Sequence, residues 1–138
     1  MKAALVILVL AGLLIAVPQE VGASSDEALQ FVKQFIAEHP IAMFSKSYCP
    51  YCARAKQAFK ALGPDAEPAV VELDGREDGY AIQDALGELV GRRSVPQVFI
   101  DGFHIGGSDD TVDAYQSGKL AKLVAKATGK AASAFNTK

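Results

Sequence analysis

Four short strand-like runs, separated by stretches of helical periodicity, restrict this chain more than any other feature. Ile41–Ser45 ("IAMFS") and Ala69–Asp74 ("AVVELD") are too short for helices and too apolar for loops. "QVFI" (Gln97–Ile100) turns at Asp101-Gly102 and returns through Phe103–Ile105, a hairpin pattern. Around them, Leu29, Val32, Phe35 and Ile36 recur at helical spacing after a Ser25 or Asp26 cap and before Pro40. Ala53–Leu62 and Glu77–Val90 read as helices too, the latter with Ile82, Ala85, Leu86 and Leu89 inward. A final helical region begins near Asp109-Asp110 and carries Leu120, Leu123, Val124 and Ala127 on one stripe. Helical crossovers imply parallel pairing of the first strands, and the tight turn implies an antiparallel pair at the end. The expected fold is α/β, a four-stranded mixed sheet with helices on both faces. With 138 residues the chain can bury one modest core, not two.

The only two cysteines, Cys49 and Cys52, flank Pro50-Tyr51 between the first strand and the following helix. A ring that small constrains almost nothing of the unfolded chain, so the pair points to chemistry and not to stapling. A strand-to-helix junction offers unpaired backbone N–H groups and the positive end of a helix dipole. Pro50 has no N–H to lose in the first helical turn. Lys46 adds a positive charge. Together these favour a thiolate at Cys49, the species that attacks disulfides, with Cys52 one turn further in as the resolving thiol. Half a zinc site is a poor alternative, because no other cysteine exists and His39 and His104 fall in no ligand run. Haem attachment would need histidine after Cys52, where Ala53 stands.

Two later features are ambiguous from the residues alone. Pro96 either marks a strand start in the ordinary trans form or, if the Val95–Pro96 bond is cis, exposes Val95 backbone groups to a peptide-like ligand. Gly106-Gly107 with Ser108-Asp109-Asp110 is either a plain helix cap or a nest for a carboxylate, with acidic side chains for an amine. The net charge of −2 offers no stripe to neutralise phosphates and gives no reason to expect nucleic acid as a partner.

Ahead of the domain, Ala3–Val17 is apolar or glycine throughout and follows Lys2. At about 15 residues it is short of the roughly 20 that span a bilayer, and it suits a secretory signal cleaved after Ala23. An uncleaved anchor is the alternative, and the only route to a membrane. The expected organisation is a signal peptide over 1–23, the domain over 24–130 and a flexible tail over 131–138. The expected destination is the ER or Golgi lumen, or secretion.

Taken in order, Lys46, Cys49-Pro50-Tyr51-Cys52, Ser94-Val95-Pro96, Gly106-Gly107 and Asp109-Asp110 resemble a dithiol glutaredoxin of the plant and green-algal type, over about Asp26–Gly129. Ser94 stands where that family usually has threonine. The resemblance implies a thioredoxin-like fold, a cis Pro96, and a glutathione-dependent thiol–disulfide oxidoreductase with glutathione as cosubstrate and no metal. It implies that Cys49 carries the mixed disulfide and that Lys46 and Gln83 meet the glycine carboxylate. Tyr51 packs beside the sulfur, and Val95 pairs its backbone with the cysteinyl part. Gly107, Asp109 and Asp110 hold the γ-glutamyl end. Partners would be glutathione and glutathionylated or disulfide-bonded proteins, met by a monomer. Two rival functions are a thioredoxin or disulfide-isomerase role, disfavoured by the Cys-Pro-Tyr-Cys centre with Gln83, Asp109 and Asp110, and iron–sulfur cluster binding, disfavoured by Pro50.

Overall fold

The computed structural model describes residue 12 and residues 25–136; the expected signal peptide otherwise lies outside the described residues. The chain runs α1 (Ser25–Glu38), β1 (Ile41–Ser45), α2 (Pro50–Leu62), β2 (Ala69–Glu72), α3 (Gly79–Val90), β3 (Gln97–Ile100), β4 (Phe103–Gly106), α4 (Ser108–Gln116) and α5 (Lys119–Thr128). The sheet order is β2-β1-β3-β4, with β1 parallel to β2 and antiparallel to β3, and β3 antiparallel to β4. The mixed sheet read from the sequence is therefore the one observed.

All five residues of β1 are buried, because it is a central strand covered on both faces. Alternate side chains divide between two cores. Ile41, Met43, Val98 and Ile100 pack with Phe59, Leu62, Leu120 and Val124 against α2 and α5. Ala42, Phe44, Val71 and Phe99 pack with Val32, Ile82 and Leu86 against α1 and α3. Phe44 meets Phe35 and Phe99 edge-on, at ring-centroid distances of 5.6 and 6.0 Å, an arrangement that suits aromatic quadrupoles.

Several boundaries differ from the sequence expectation for local reasons. β2 ends at Glu72 because Leu73–Gly75 winds into a 3₁₀ turn, closed by the Arg76 N–H donating to the Leu73 carbonyl at 3.3 Å. Gly79 opens α3; a Cβ at that position would lie 2.2 Å from the Leu73 carbonyl oxygen, so only glycine fits. Leu89, expected inward, is partly exposed near the end of α3. Asp101 (φ 52°) and Gly102 (φ 79°) both adopt positive φ, as a tight two-residue hairpin requires. The last helical region is two helices, broken at Ser117-Gly118, where Gly118 takes a left-handed conformation.

The C-terminal segment, expected to be flexible from 131, is instead tied down as far as Asn136. Ala132–Ala134 form a 3₁₀ turn, Phe135 is buried in the α2/α5 core, and the Asn136 N–H donates to the Leu62 carbonyl at 3.0 Å. That contact also satisfies a carbonyl at the end of α2. A single aromatic in a polar, alanine-rich stretch gives no periodic signal, which is why sequence pattern missed it. Phe135→Ala should lower unfolding free energy by about 3 kcal/mol, the usual cost of truncating a buried phenylalanine. Denaturant titration would read this as a lower midpoint; an unchanged midpoint would mean that the segment contributes nothing to the core.

Candidate active site

β1 delivers the chain to the C-terminal edge of the sheet, and α2 starts five residues past its end. Cys49 is the N-cap of α2, in extended conformation (φ −83°, ψ 118°), with Pro50 in the first turn. Its thiol is partly exposed and lies 3.9 Å from the Val95 carbonyl oxygen, to which it donates. Cys52, one turn further along, is fully buried in the α2 core. Both cysteines are free thiols.

The environments push the two thiols apart. Burial raises Cys49, but the Cys52 N–H, the Cys52 thiol, the Tyr51 N–H and the Lys46 charge together hold it below an ordinary thiol. Burial dominates at Cys52 and raises it; the Lys46 backbone and the Ser45 hydroxyl offset this only in part, and the nearby Cys49 adds to the rise. Ser45 was missed in the sequence because it reads as the last residue of an apolar strand. It is completely buried, and a hydroxyl at that depth was the available signal.

The second wall is the Ser94-Val95-Pro96 segment. The Val95–Pro96 bond is cis. Behind it, Gln97, almost fully buried, donates its amide to the Ser94 carbonyl at 2.9 Å and shares a 2.7 Å hydrogen bond with His104 Nε2. Gln97, absent from the sequence-derived set, therefore braces this segment from inside.

Lys46 and Gln83 line one pocket of about 200 Å³ with Tyr48, Asp74, Arg76 and Tyr80. Lys46 Nζ lies 5.9 Å from the centre of the Tyr80 ring. Asp74 accepts from the Ser47 hydroxyl and, at 2.9 Å, from the Ser47 N–H; these bonds hold its carboxyl below the usual range. Gln83 donates one amide hydrogen to the Arg93 carbonyl at 2.6 Å. Tyr51 stands exposed directly after Pro50, and Tyr48 is more exposed still.

On the other side, Gly107 is the N-cap of α4, and Asp110 Oδ2 accepts the Gly107 N–H at 3.0 Å, the reciprocal half of a capping box. The plain-cap reading of Asp110 is therefore present in the structure. The adjacent Gly106 (φ 128°) leaves room for that carboxylate: a Cβ there would lie 2.1 Å from Oδ2. Asp110 also pairs with Arg92 at 3.5 Å, and Asp109 with Arg54 of α2 at 3.0 Å. Arg54 carried no sequence signal, since surface arginines on helices are ordinary. Among the described residues no three His, Cys, Asp or Glu side chains group in a way that could hold a metal ion.

The glutaredoxin family pattern matches residues 41–105. Glutaredoxin-C4 of Arabidopsis thaliana is 68% identical over 102 residues, covering 74% of this chain and 73% of the relative. The chain belongs to the glutaredoxin family. Its cysteine pair and fold are those of a thiol–disulfide oxidoreductase in general. The solved buckwheat glutaredoxin–glutathione complex is 40% identical, with a TM-score of 0.73, and covers 83% of this chain and 100% of that one.

The secretory destination expected from the leader is corrected by these comparisons. A rice relative, 45% identical over 100 residues with 72% of this chain and 74% of the relative covered, is a chloroplastic glutaredoxin-C4, and the Arabidopsis protein's name points to no secretory compartment. The physical reason is that an apolar run measures hydrophobicity alone. Compartment is read by receptors from information that hydrophobicity does not contain.

The site's electrostatics give a direct expectation. Iodoacetamide should modify Cys49 with a pH midpoint below that of a free thiol, about 8.5, while Cys52 reacts slowly in the native state. Lys46→Met should move the Cys49 midpoint upward by a small amount, since the N–H groups of the helix start remain. Mass mapping of the modified peptide across pH would check both; equal labelling of the two cysteines would contradict the geometry.

Proposed function

We propose that this glutaredoxin is a glutathione-dependent oxidoreductase that reduces protein–glutathione mixed disulfides through Cys49, and protein disulfides through Cys49 and Cys52. The observation that carries the reading is the placement of the two thiols, Cys49 partly exposed as the N-cap of α2 and Cys52 fully buried one turn further in, which favours thiolate at the first and thiol at the second. A thiolate at Cys49 attacks the glutathionyl sulfur, the protein thiol leaves, and glutathione stays on Cys49. A second glutathione thiolate then attacks that mixed disulfide, giving oxidised glutathione and free Cys49. With a protein disulfide, Cys52 instead closes onto Cys49 and releases the reduced target.

Glutathione carries two carboxylates and one ammonium, and the groove offers both signs. Lys46 and Gln83 share the pocket that would take the glycine carboxylate, and the Val95 backbone beside Pro96 would pair with the cysteinyl unit. Tyr51 would flank the sulfur. At the far end, Arg54–Asp109 and Arg92–Asp110 are pairs of opposite charge, and Gly107 immediately precedes the helix that carries both aspartates. A γ-glutamyl group, with ammonium and carboxylate on one carbon, can insert into such pairs and satisfy both partners. That the buckwheat relative binds glutathione supports the same reading.

Cys49→Ser should abolish turnover of a glutathionylated peptide, whereas Cys52→Ser should retain most of it. Loss in both would remove the assignment of roles. Asp109→Asn, which leaves the Asp110 cap in place, should raise KM for the glutathionylated substrate about 10-fold, within the ~1–3 kcal/mol range of charge-assisted contacts. Steady-state kinetics at several glutathione concentrations would measure it, and an unchanged KM would take Asp109 out of the groove.

A further inference from the structure

A glutamine sits where the sheet is otherwise apolar. All four residues of β3 are buried, and Gln97, 1% exposed, is the polar one among them. A sealed amide is costly unless its oxygen and its N–H groups find partners. Here they do: Nε2 donates to the Ser94 carbonyl at 2.9 Å and to the Ser94 hydroxyl oxygen at 3.4 Å, and Oε1 lies 2.7 Å from His104 Nε2. The Ser94 carbonyl can only accept, so the amide nitrogen faces Ser94 and the amide oxygen faces the histidine. That oxygen can only accept in turn, so His104 carries a hydrogen on Nε2 and donates it. His104 comes from β4, pairs with Phe99 across the sheet, and rests its ring on the Phe99 ring at a centroid distance of 5.0 Å.

The peptide unit between Ser94 and Val95 carries this arrangement from the interior to the surface. It is trans, since the cis bond follows it, at Val95–Pro96. In a planar trans unit the C=O and N–H point in opposite directions. With the Ser94 carbonyl turned inward to Gln97, the Val95 N–H is turned outward, and no group among the described residues accepts it. The Val95 carbonyl faces Cys49 Sγ at 3.9 Å. An unused backbone donor therefore stands beside the sulfur. We propose that His104 is a positioning residue for glutathione: its Nε2–H locks the Gln97 amide, and the locked amide aims the Val95 N–H at the cysteinyl carbonyl of glutathione held on Cys49. This rests on the oxidoreductase reading above. Without the histidine donor, Gln97 Oε1 is buried and unpaired, so the amide turns to find another partner and the Ser94–Val95 unit loses its inner anchor. His104 touches neither thiol, so its effect falls on binding of the substrate and not on the reactivity of Cys49.

The experiment uses the full chain. His104→Phe keeps a ring on Phe99 and removes the donor, whereas His104→Gln keeps a donor of similar reach. For a glutathionylated peptide, His104→Phe should raise KM about 5-fold, as expected for one aligned hydrogen bond, with kcat little changed. His104→Gln should recover most of that loss. Alkylation of Cys49 by iodoacetamide, which makes no use of Val95, should keep its rate. In a Gln97→Met background, His104→Phe should raise KM no further, because the histidine acts only through the amide. An unchanged KM in His104→Phe, an equal rise in both backgrounds, or a fall in alkylation rate matching the fall in kcat/KM would overturn the proposal. Two NMR measurements test it with His104 in place, whatever the stability of the variants. The imidazole nitrogens should show the hydrogen on Nε2, and in Cys52→Ser protein carrying glutathione on Cys49 the Val95 amide should exchange with solvent more slowly than without glutathione. A hydrogen on Nδ1 alone, or unchanged exchange at Val95, would overturn it as well. Absence of glutathione-dependent turnover in the unaltered protein would instead defeat the oxidoreductase reading, while the imidazole signals would still judge the lock.

Discussion

The structure depends on β1 being buried on both faces. A strand flanked by two helical layers has no water to satisfy its backbone, so it must pair on both sides, and it does: with β2 in parallel and β3 in antiparallel. Once β1 is fixed in this way, the chain leaves the core at one edge of the sheet and has few residues in which to turn before α2 packs back. Cys49 stands at that turn because the N-cap position falls there. The resulting reactivity is a property of the junction: free N–H groups of the helix start meet a sulfur that the core can bury only in part.

Pairing β1 with β3 brings the Val95–Pro96 segment opposite Cys49, forty-six residues away in sequence, and places the Val95 carbonyl 3.9 Å from its sulfur. The network from His104 through Gln97 to Ser94 then holds that segment from the interior. Burial lowers His104 and the positive Arg92 adds to this, with Asp110 opposing, so the ring favours the neutral form in which a single N–H must choose its partner. The second wall is thereby anchored in the same sheet that presents Cys49, and relative motion of the two walls would require breaking core contacts.

Much of this was legible in the sequence because it follows from local rules. The spacing of Val32 and Ile36, the brevity of "IAMFS", the proline after Cys49 and the Asp101-Gly102 turn each reflect short-range geometry, and each appears where expected. What escaped were the long-range contacts of residues with unremarkable local context. Ser45 looks like the end of a strand until α2 folds over it, and Arg54 looks like a solvated helix residue until α4 brings Asp109 to it. Phe135 looks like part of a frayed tail until the α2 terminus offers it a slot. Asp110 was ambiguous for another reason: the same carboxylate can cap its own helix and face a ligand, and a one-dimensional pattern cannot apportion it.

The two cysteines bind pH to stability in opposite senses. Cys49 has its folded value depressed, so its contribution to stability is present above the ordinary thiol range and is lost as pH falls through the folded value. Cys52 has its folded value raised, so its contribution is complete below the ordinary range and is lost as pH rises through the folded value. Between the two folded values the reduced site holds one thiolate and one thiol, the charge state in which a nucleophile and a protonated partner coexist one turn apart. Stabilising the Cys49 thiolate also stabilises the reduced dithiol and makes the pair easier to reduce, whereas burying Cys52 as a neutral thiol slows the closure that would oxidise it. In the proposed reaction, the same helix start and the same core would set both how readily the site attacks and how long its mixed disulfide waits for a second thiol.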